Sequence, residues 1–251
     1  MIEKRVDEIN LKIFDTREEM GSSAAEDARI ALKKLLSEKK DINLVFAAAP
    51  SQSDFLGLLA ESNDIDWHRV NVFHMDEYIG LEMCSKGSFS GYLEDILFHK
   101  LQLKSKNYIN GMAEPEEECI RYSELISKND IDVVFMGIGE NGHIAFNDPA
   151  VADFKDKRAV KIVKLDDMSR NQQVHDGCFE KFDDVPKTAI TLTIPTLVSG
   201  KQIFCIVPSR TKAEAVKNTL EGEVSESCPA SILRTIPNVY MYIDSEAAAL
   251  I

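Results

Sequence analysis

The stretch Met136-Gly-Ile-Gly-Glu-Asn-Gly-His-Ile-Ala-Phe-Asn-Asp-Pro149 follows directly on a mostly apolar run at residues 131–135. Its glycines match the G-x-G-x-x-G fingerprint of dinucleotide-binding loops, and Asp166 stands where such loops have a ribose-binding acid. The match fails on length, because a parallel crossover needs about a dozen or more residues, usually helical. Only 17 residues (143–159) separate Gly142 from the next strand-like run, and a proline interrupts them. We interpret the stretch as a glycine-lined loop that presents polar groups.

The sequence around this loop alternates strand-like and helix-like segments. Short apolar runs predict strands at residues 11–14, 42–48, 70–73, 131–136, 160–165, 189–194, 202–207 and 239–243. Apolar residues at helical spacing predict helices over residues 16–40 (capped by Thr16), from 55 onwards, 88–101, 114–127 and 211–220 (capped by Ser209 or Thr211). This alternation predicts an α/β fold: a doubly wound, mostly parallel, Rossmann-like sheet with helices on both faces, in a single domain over residues 1–251.

Bulk properties exclude several function classes. A net charge of −13 argues against nucleic-acid binding, which needs a basic face. No apolar run approaches membrane-spanning length and the N-terminus lacks a signal-peptide core, so we expect a cytoplasmic protein that does not bind membranes. Five well-separated cysteines predict reduced thiols rather than disulfides. The oligomeric state stays open, with a homo-oligomer as one alternative.

Two predicted strands end in residues that suit a ligand site, since open α/β sheets bind ligands beyond the carboxyl ends of their strands. Ala49, Ser51 and Gln52 offer a small residue and a hydroxyl at a helix N-terminus, either as an anion site or as an ordinary cap. Asp76 and Glu77 leave the strand at 70–73, either as caps or as site carboxylates. Because side chains alternate along a strand, only one of the two acids is expected to enter a cleft.

Two further elements complete this candidate site. His143, with Asn141 and Asp148 nearby in sequence, forms either a structural histidine or a His–carboxylate pair that moves protons near neutral pH. Arg210 and Lys212 stand at a predicted helix N-terminus, where cations are disfavoured unless an anion is the ligand. A carboxylate base, a His–acid pair and a phosphate site together suit proton abstraction next to the carbonyl of a sugar phosphate.

The motifs resemble a known family. Residues 73–81 (FHMDEYIGL) resemble the MDEY-x-GL segment of the glucosamine-6-phosphate deaminase/isomerase family. Residues 137–149 resemble its GIG-x-[DN]-GHI-[AG]-FNEP segment, and residues 185–191 (VPKTAIT) resemble its VP-x-x-A-[IL]-T strand. Lys212 and the pair Glu221-Gly222 match further family positions. The similarity covers roughly residues 40–245, with all segments in the same order.

The resemblance implies ring opening of an amino-sugar 6-phosphate, isomerisation of aldose to ketose, and release of ammonia. By motif match Asp76 is the base that takes the proton from carbon 2 and returns it at carbon 1, and His143, oriented by Asn141 and Asp148, serves ring opening. The implied substrate-binding positions are Ala49, Ser51, Gln52, Glu77, Gly139, Gly142, Arg210 and Lys212. The expected partner is a small amino-sugar phosphate, with no metal and no organic cofactor.

This chain departs from the family pattern near the phosphate and the histidine. Residues 49–52 (APSQ) replace Gly-Gly-Thr-Pro, Asn141 replaces Asp, and Asp148 replaces Glu. Residues 168–179 replace the segment that carries the family's phosphate-binding arginine, for which Arg210 and Arg170 are the candidate substitutes. These changes lead to the hypothesis that the sugar is galactosamine 6-phosphate rather than glucosamine 6-phosphate.

Two alternatives to this reaction are open. A lactonase of the 6-phosphogluconolactonase type lacks the MDEY-x-GL segment that this chain has. A sugar-phosphate sensor without turnover has no need for Asp76 and His143.

Overall fold

The computed structural model describes residues 1–83 and 85–251. Its α-helices are α1 Arg17–Glu38, α2 Ser53–Ala60, α3 Phe89–Ile96, α4 Pro115–Ser127, α5 Asp167–His175, α6 Ile194–Val198 and α7 Ala213–Glu221. Its strands are β1 Ile2–Val6, β2 Ile9–Phe14, β3 Ile42–Phe46, β4 Val70–His74, β5 Asp76–Tyr78, β6 Ser105–Asn107, β7 Val133–Met136, β8 Val160–Lys164, β9 Thr188–Leu192, β10 Gln202–Val207 and β11 Val239–Asp244. None of the helices in the described residues has the length and apolar content needed to cross a bilayer.

The main sheet has the order β1-β2-β11-β10-β7-β3-β4-β6, and every neighbouring pair is parallel except β1 with β2. The central strands are buried on both faces: Val45 of β3 packs in one apolar cluster and Phe46 in the other. Helices α1, α2 and α3 cover the Phe46 side, while α4, α6 and α7 cover the Val45 side. The predicted α/β class, with a mostly parallel sheet and helices on both faces, is confirmed.

A second, antiparallel sheet has the order β5-β9-β8. The strands predicted at residues 160–165 and 189–194 exist as β8 and β9, but they belong to this sheet and not to the parallel one. The reason is the missing crossover helix between β7 and β8, without which β8 cannot join the sheet parallel to β7. The small sheet matters for function because Asp76 begins β5 and pairs with Thr191 of β9.

Several helix ends differ from their predictions. The Thr16 cap is confirmed, since its hydroxyl accepts a 3.2 Å hydrogen bond from the Glu19 amide. The helix predicted over residues 88–101 ends at Ile96 and continues as a 3₁₀ turn, Phe98–Lys100. The helix predicted from residue 211 begins at Ala213, and within the described residues neither Ser209 nor Thr211 caps it. Ser209 has a φ of 89° and donates its amide to the Asp244 carboxylate instead.

The cysteine thiols agree with the predicted reduced state as far as the structure describes them. Cys119, Cys178, Cys205 and Cys228 are free thiols. The fifth, Cys84, lies outside the described residues.

Candidate active site

An open cavity lies at the carboxyl ends of β3, β4 and β7, with α5 on one side. Strands β3 and β7 are neighbours at the point where the chain's strand order reverses, which is where open α/β sheets bind ligands. The lining residues of the cavity are Ala47, Ala48, Ala49, Ser51, Gln52, Met75, Asp76, Phe89, Gly137, Ile138, Gly139, His143, Ala145, Phe146, Gln172 and Gln173.

Six of the residues predicted for the site therefore meet in one cavity: Ala49, Ser51, Gln52, Asp76, Gly139 and His143. Asn141 and Asp148 stand behind the histidine and contact its ring. The other four predicted residues, Glu77, Gly142, Arg210 and Lys212, are not part of the lining, and each has a different surrounding.

His143 is held by a group of side chains that we call the histidine network: Asn141, His143, Asp148 and Ser169. The Nδ1 atom of His143 lies 2.8 Å from Asn141 Oδ1, 2.9 Å from Ser169 Oγ and 3.1 Å from Asp148 Oδ1. The amide oxygen and the carboxylate can only accept, so Nδ1 carries the proton. This leaves the Nε2 atom of the neutral ring as the hydrogen-bond acceptor on the cavity side.

Asp148 is the anionic member of this network and is 1% exposed. Its Oδ1 accepts from Asn141 Nδ2 at 3.0 Å and from the Ser169 hydroxyl. Burial opposes its ionisation, but the hydrogen bonds from His143, Asn141 and Ser169 outweigh it and hold the pKa of Asp148 below its ordinary value. The side chain is therefore a carboxylate at neutral pH, and it can stabilise a positive charge that forms on the imidazole.

The glycines of the loop make room for protein groups. A Cβ atom on Gly139 would overlap the imidazole of His143. Gly142 has a φ of +83°, and a Cβ there would lie 2.7 Å from Cys228 Sγ. Gly137 packs against Gln52, whose Nε2 would lie 3.0 Å from an added Cβ. Gly142 is not among the residues that line the cavity, and its role in binding the substrate stays a prediction.

Asp76 and Glu77 point to opposite sides of β5, as their alternation predicts. Asp76 lines the cavity, and burial, reinforced by the charge of Glu77, raises the pKa of Asp76 well above its ordinary value. Glu77 turns away and accepts hydrogen bonds from the amides of Phe89 and Ser90 at 3.1 and 2.9 Å, at the N-terminus of α3. Glu77 therefore anchors a helix, and its role as a substrate-binding residue stays a prediction.

The candidate phosphate site consists of residues 49–52 and Lys212. Ser51 and Gln52 line the cavity within the 3₁₀ turn Pro50–Gln52, which leads into α2. The side-chain amide of Gln52 donates to the carbonyl oxygen of Ile206 in β10 at 2.9 Å. This bond fixes the orientation of the Gln52 side chain. Within the described residues its buried Oε1 has no hydrogen-bond partner. An acceptor of this kind suits a sugar hydroxyl or a protonated phosphate oxygen.

Lys212 is 5% exposed, and its buried Nζ has no hydrogen-bond partner among residues 1–83 and 85–251. Burial lowers the pKa of this ammonium group, while the charges of Asp176 and Glu140 oppose that shift. Gln172, a residue of the cavity lining, accepts from the Glu140 backbone amide and donates to Asp176 Oδ2 at 3.2 Å. The two acids whose charges act on Lys212 therefore both contact a residue that lines the cavity, while Lys212 itself is not part of the lining.

Neither arginine proposed as a phosphate ligand enters the cavity. Arg210 is exposed at the surface. Arg170 is 5% exposed, lies 3.8 Å over the Phe182 ring, and donates to the carbonyl oxygens of Phe182 and Val185. It therefore fixes the segment after α5. That one of these two replaces the family arginine stays a prediction, and neither of them lines the cavity.

Helix α5 contributes residues to the site that the apolar patterns of the sequence do not predict. Ser169 from its first turn contacts His143, and Gln172 and Gln173 from its second turn line the cavity. Only one signal could have revealed this helix: Asp166 followed by Ser169 three residues later, a cap pattern that the structure shows as a 2.7 Å hydrogen bond. Elsewhere in α5 the buried residues are polar, so no apolar periodicity marks the helix.

In the described ranges no group of three or more His, Cys, Asp or Glu side chains is arranged to hold a metal ion. That the protein works without a metal or organic cofactor stays a prediction.

Comparison with known proteins places this site in context. Residues 15–241 match the family model for glucosamine-6-phosphate isomerases/6-phosphogluconolactonase. The chain belongs to this family. A glucosamine-6-phosphate deaminase of Bacillus cereus is 36% identical over 245 residues, which cover 96% of this chain and 89% of that protein.

Two solved structures differ in how similar they are to this chain. The structure of a monomeric glucosamine-6-phosphate deaminase has a TM-score of 0.87 and 33% identity, and the match covers 96% of this chain and 99% of that one. A 6-phosphogluconolactonase from Thermotoga maritima has a TM-score of 0.76 at 18% identity, with 94% and 99% covered. The latter shows the shared fold alone. The family resemblance inferred from the motifs is thus confirmed.

Proposed function

We propose that this chain is an amino-sugar 6-phosphate deaminase/isomerase whose substrate is glucosamine 6-phosphate. The observation that carries the proposal is that Asp76, a buried carboxyl with a raised pKa, and His143 line the same cavity. The name of the Bacillus cereus relative supports this reaction. The lower sequence identity and TM-score of the lactonase structure argue against lactone hydrolysis.

His143 is assigned to ring opening. With Nδ1–H held by the histidine network, its Nε2 atom can take the proton from the hydroxyl on carbon 1 and return it to the ring oxygen. The imidazolium formed between these two transfers lies 3.1 Å from Asp148 Oδ1, which stabilises its charge. The product of this step is the open-chain aldehyde.

Asp76 is assigned to isomerisation. Its carboxylate removes the proton from carbon 2 of the aldehyde, and the aldehyde oxygen takes a proton from the substrate's ammonium group, which leaves an enolamine. Asp76 then returns its proton to carbon 1. Water then adds to the resulting imine at carbon 2, and ammonia leaves to give the ketohexose 6-phosphate. A raised pKa suits this role, because the group has to accept a proton from carbon and give it back.

The candidate phosphate site is assigned to the 6-phosphate. Ser51 and Gln52 offer side-chain groups on the cavity wall, and Lys212 offers a buried cation with no internal partner in the described residues. Burying an unpaired ammonium group is costly unless a ligand compensates for it. An anion of the substrate is such a ligand.

The test is ammonia and ketohexose 6-phosphate release from glucosamine 6-phosphate and from galactosamine 6-phosphate, with 6-phosphogluconolactone hydrolysis measured in parallel. We expect turnover of the glucosamine ester. A clear preference for the galactosamine ester would support the alternative sugar, and lactone hydrolysis without ammonia release would contradict the proposal. Tight calorimetric binding of both esters without turnover would instead support a sensor.

Three broader predictions accompany this function. We propose that residues 1–251 act as one domain, that the protein works in the cytoplasm, and that it binds neither nucleic acid nor membranes. A homo-oligomer stays an alternative to a monomer, and light scattering of the purified protein distinguishes them.

A further inference from the structure

Asn141 is held between two carboxylates. Its Nδ2 atom donates to Asp148 Oδ1 and to Asp166 Oδ2, both at 3.0 Å. Its Oδ1 atom accepts from the amide of His143 at 3.0 Å and from the ring Nδ1 at 2.8 Å. Asp166 does not contact His143; its second oxygen caps α5 by accepting from the Ser169 amide at 2.7 Å.

These contacts allow the Asn141 amide only one orientation. Carboxylates only accept hydrogen bonds, so the NH₂ group has to face Asp148 and Asp166, and the carbonyl oxygen has to face the histidine. With that oxygen 2.8 Å from Nδ1, the imidazole keeps its proton on Nδ1. Asp166 therefore influences which nitrogen of the His143 ring carries the proton, although it makes no hydrogen bond to that ring. It does so by orienting the Asn141 amide.

We propose that Asp166 is a positioning residue for His143, which fixes the orientation of the Asn141 amide and thereby the Nδ1–H tautomer of the imidazole. The kinetic part of this inference rests on the proposed function, since it needs His143 as the ring-opening group. The tautomer part needs no substrate. Asp148 and Ser169 also hold Nδ1, so Asp166 adds to their effect.

Asp166→Asn is the decisive variant. Asparagine caps a helix about as well as aspartate, so α5 keeps its N-cap. The new NH₂ group faces Asn141 Nδ2, and two donors oppose each other. Part of the population relieves this by turning the Asn141 amide, at the expense of its bonds to Asp148 Oδ1 and to the His143 backbone amide. The turned NH₂ group faces His143 Nδ1, which favours the Nε2–H tautomer. The neutral ring then donates into the cavity and cannot take the hydroxyl proton.

The first measurement is the ¹⁵N NMR shift of the two ring nitrogens of His143, assigned by comparison with His143→Gln. We expect Nδ1–H in the wild type and a shift of the population towards Nε2–H in Asp166→Asn. The second measurement is turnover of glucosamine 6-phosphate, where we expect kcat to fall about tenfold with KM within twofold, the size typical of an outer-shell partner.

A reciprocal exchange sharpens the test. In Asn141→Asp/Asp166→Asn the amide and the carboxylate trade places, so the amide of residue 166 donates to residue 141 and the latter accepts from His143. We expect this double variant to recover the Nδ1–H tautomer, and kcat only in part, because residue 141 no longer donates to Asp148 Oδ1. Asn141→Asp alone brings three carboxylates together and is expected to be worse than the double variant.

Glu114→Gln is the matched control, because Glu114 also caps a helix with its carboxylate, accepting from the Glu117 amide at 2.9 Å at the start of α4. It should change neither the NMR shifts nor kcat. The proposal is overturned if Asp166→Asn keeps the wild-type tautomer, or if the double variant recovers none of the Nδ1–H tautomer that Asp166→Asn loses. A wild type that releases no ammonia refutes the proposed function only, since the NMR comparison still decides the role of Asp166.

Discussion

The histidine network and the candidate phosphate site adjoin one cavity and differ in how their polar atoms are satisfied. In the network, His143 Nδ1 has three partners within 3.1 Å, and all four hydrogen-bonding positions of the Asn141 amide are used. In the phosphate site, Gln52 Oε1 and Lys212 Nζ are buried, and neither atom has a hydrogen-bond partner in the part of the chain that the structure describes.

This difference separates two ways of building a site. A complete network fixes geometry before the substrate arrives, which lowers the reorganisation needed during proton transfer. Unsatisfied buried polar groups cost free energy in the empty protein, and a ligand that pairs with them recovers that cost as affinity. Changes in the network are therefore expected to affect kcat, and changes in the phosphate site to affect binding.

The largest expected effect comes from Asp76→Asn, which tests whether chemistry and binding separate. The variant removes the base without touching either region, so ammonia release should fall about 10³-fold, within the range of general acid–base effects. Exchange of the carbon 2 proton with solvent deuterium, followed by NMR, should stop. The affinity for the sugar phosphate, measured by calorimetry, should stay within twofold. Deuterium exchange at the wild-type rate would show that Asp76 is not the base.

The same variant has a consequence for stability. Because burial raises the pKa of Asp76, the folded protein binds this proton more tightly than the unfolded chain does. The stability that the proton contributes is complete below the ordinary carboxyl pKa of about 4 and is lost as pH rises through the raised pKa. Asp76→Asn should not lose stability in this pH range. The Tm of the variant should therefore rise relative to the Tm of the wild type as pH increases.

Gly139→Ala is expected to have the next largest effect on turnover, because it changes the packing of the histidine network directly. A Cβ at this position overlaps the imidazole, so the ring has to leave the contacts that hold Nδ1. We expect kcat to fall about 10²-fold, comparable with the loss of a general acid–base group. The matched control is Gly57→Ala in α2, where an added Cβ meets nothing within 4 Å in the described structure. It should keep full activity and raise stability by about 0.5–1 kcal/mol. Equal activity of the two variants would contradict the assigned role of Gly139.

The parts of the site that follow strand ends could be predicted from the sequence. Apolar runs give the strands, and polar residues that directly follow them meet at one edge of a parallel sheet, which brings Gln52, Asp76 and Gly139 together. That the Glu77 side chain points away from the cavity also follows from the alternation of side chains along β5. These inferences need only the period of the strand and the direction of the sheet.

The remaining parts depend on packing that no local pattern encodes. Helix α5 buries polar residues such as Ser169 and Gln173, so it lacks the apolar period by which helices are recognised. Arg170 is a buried cation whose hydrogen-bond acceptors are the backbone carbonyls of Phe182 and Val185, 12 and 15 residues further along the chain. The family resemblance implies that the glycines at 139 and 142 bind the substrate, whereas in the structure their lack of a side chain makes room for His143 and Cys228. Each of these facts requires the three-dimensional neighbours.

Lys212→Met gives the smallest expected effect on turnover and tests the phosphate site. Methionine has a similar length without the charge, so KM for the sugar phosphate should rise about tenfold, the loss of roughly one charged hydrogen bond, while kcat changes little. Inorganic phosphate should raise the Tm of the wild type and not that of the variant. The matched control is Lys217→Met on α7, an exposed lysine.

Stability should move in the opposite direction from binding. Burial lowers the pKa of Lys212, so the unfolded chain binds this proton more tightly than the folded protein does. Without phosphate, the wild type should gain stability as pH rises towards the ordinary lysine pKa of about 10.5, because the cost of the buried charge disappears. Lys212→Met lacks this cost at every pH and should be more stable than the wild type at neutral pH. A variant that is less stable and binds phosphate as the wild type does would mean that Lys212 is a structural cation, and the contrast between the two regions would be lost.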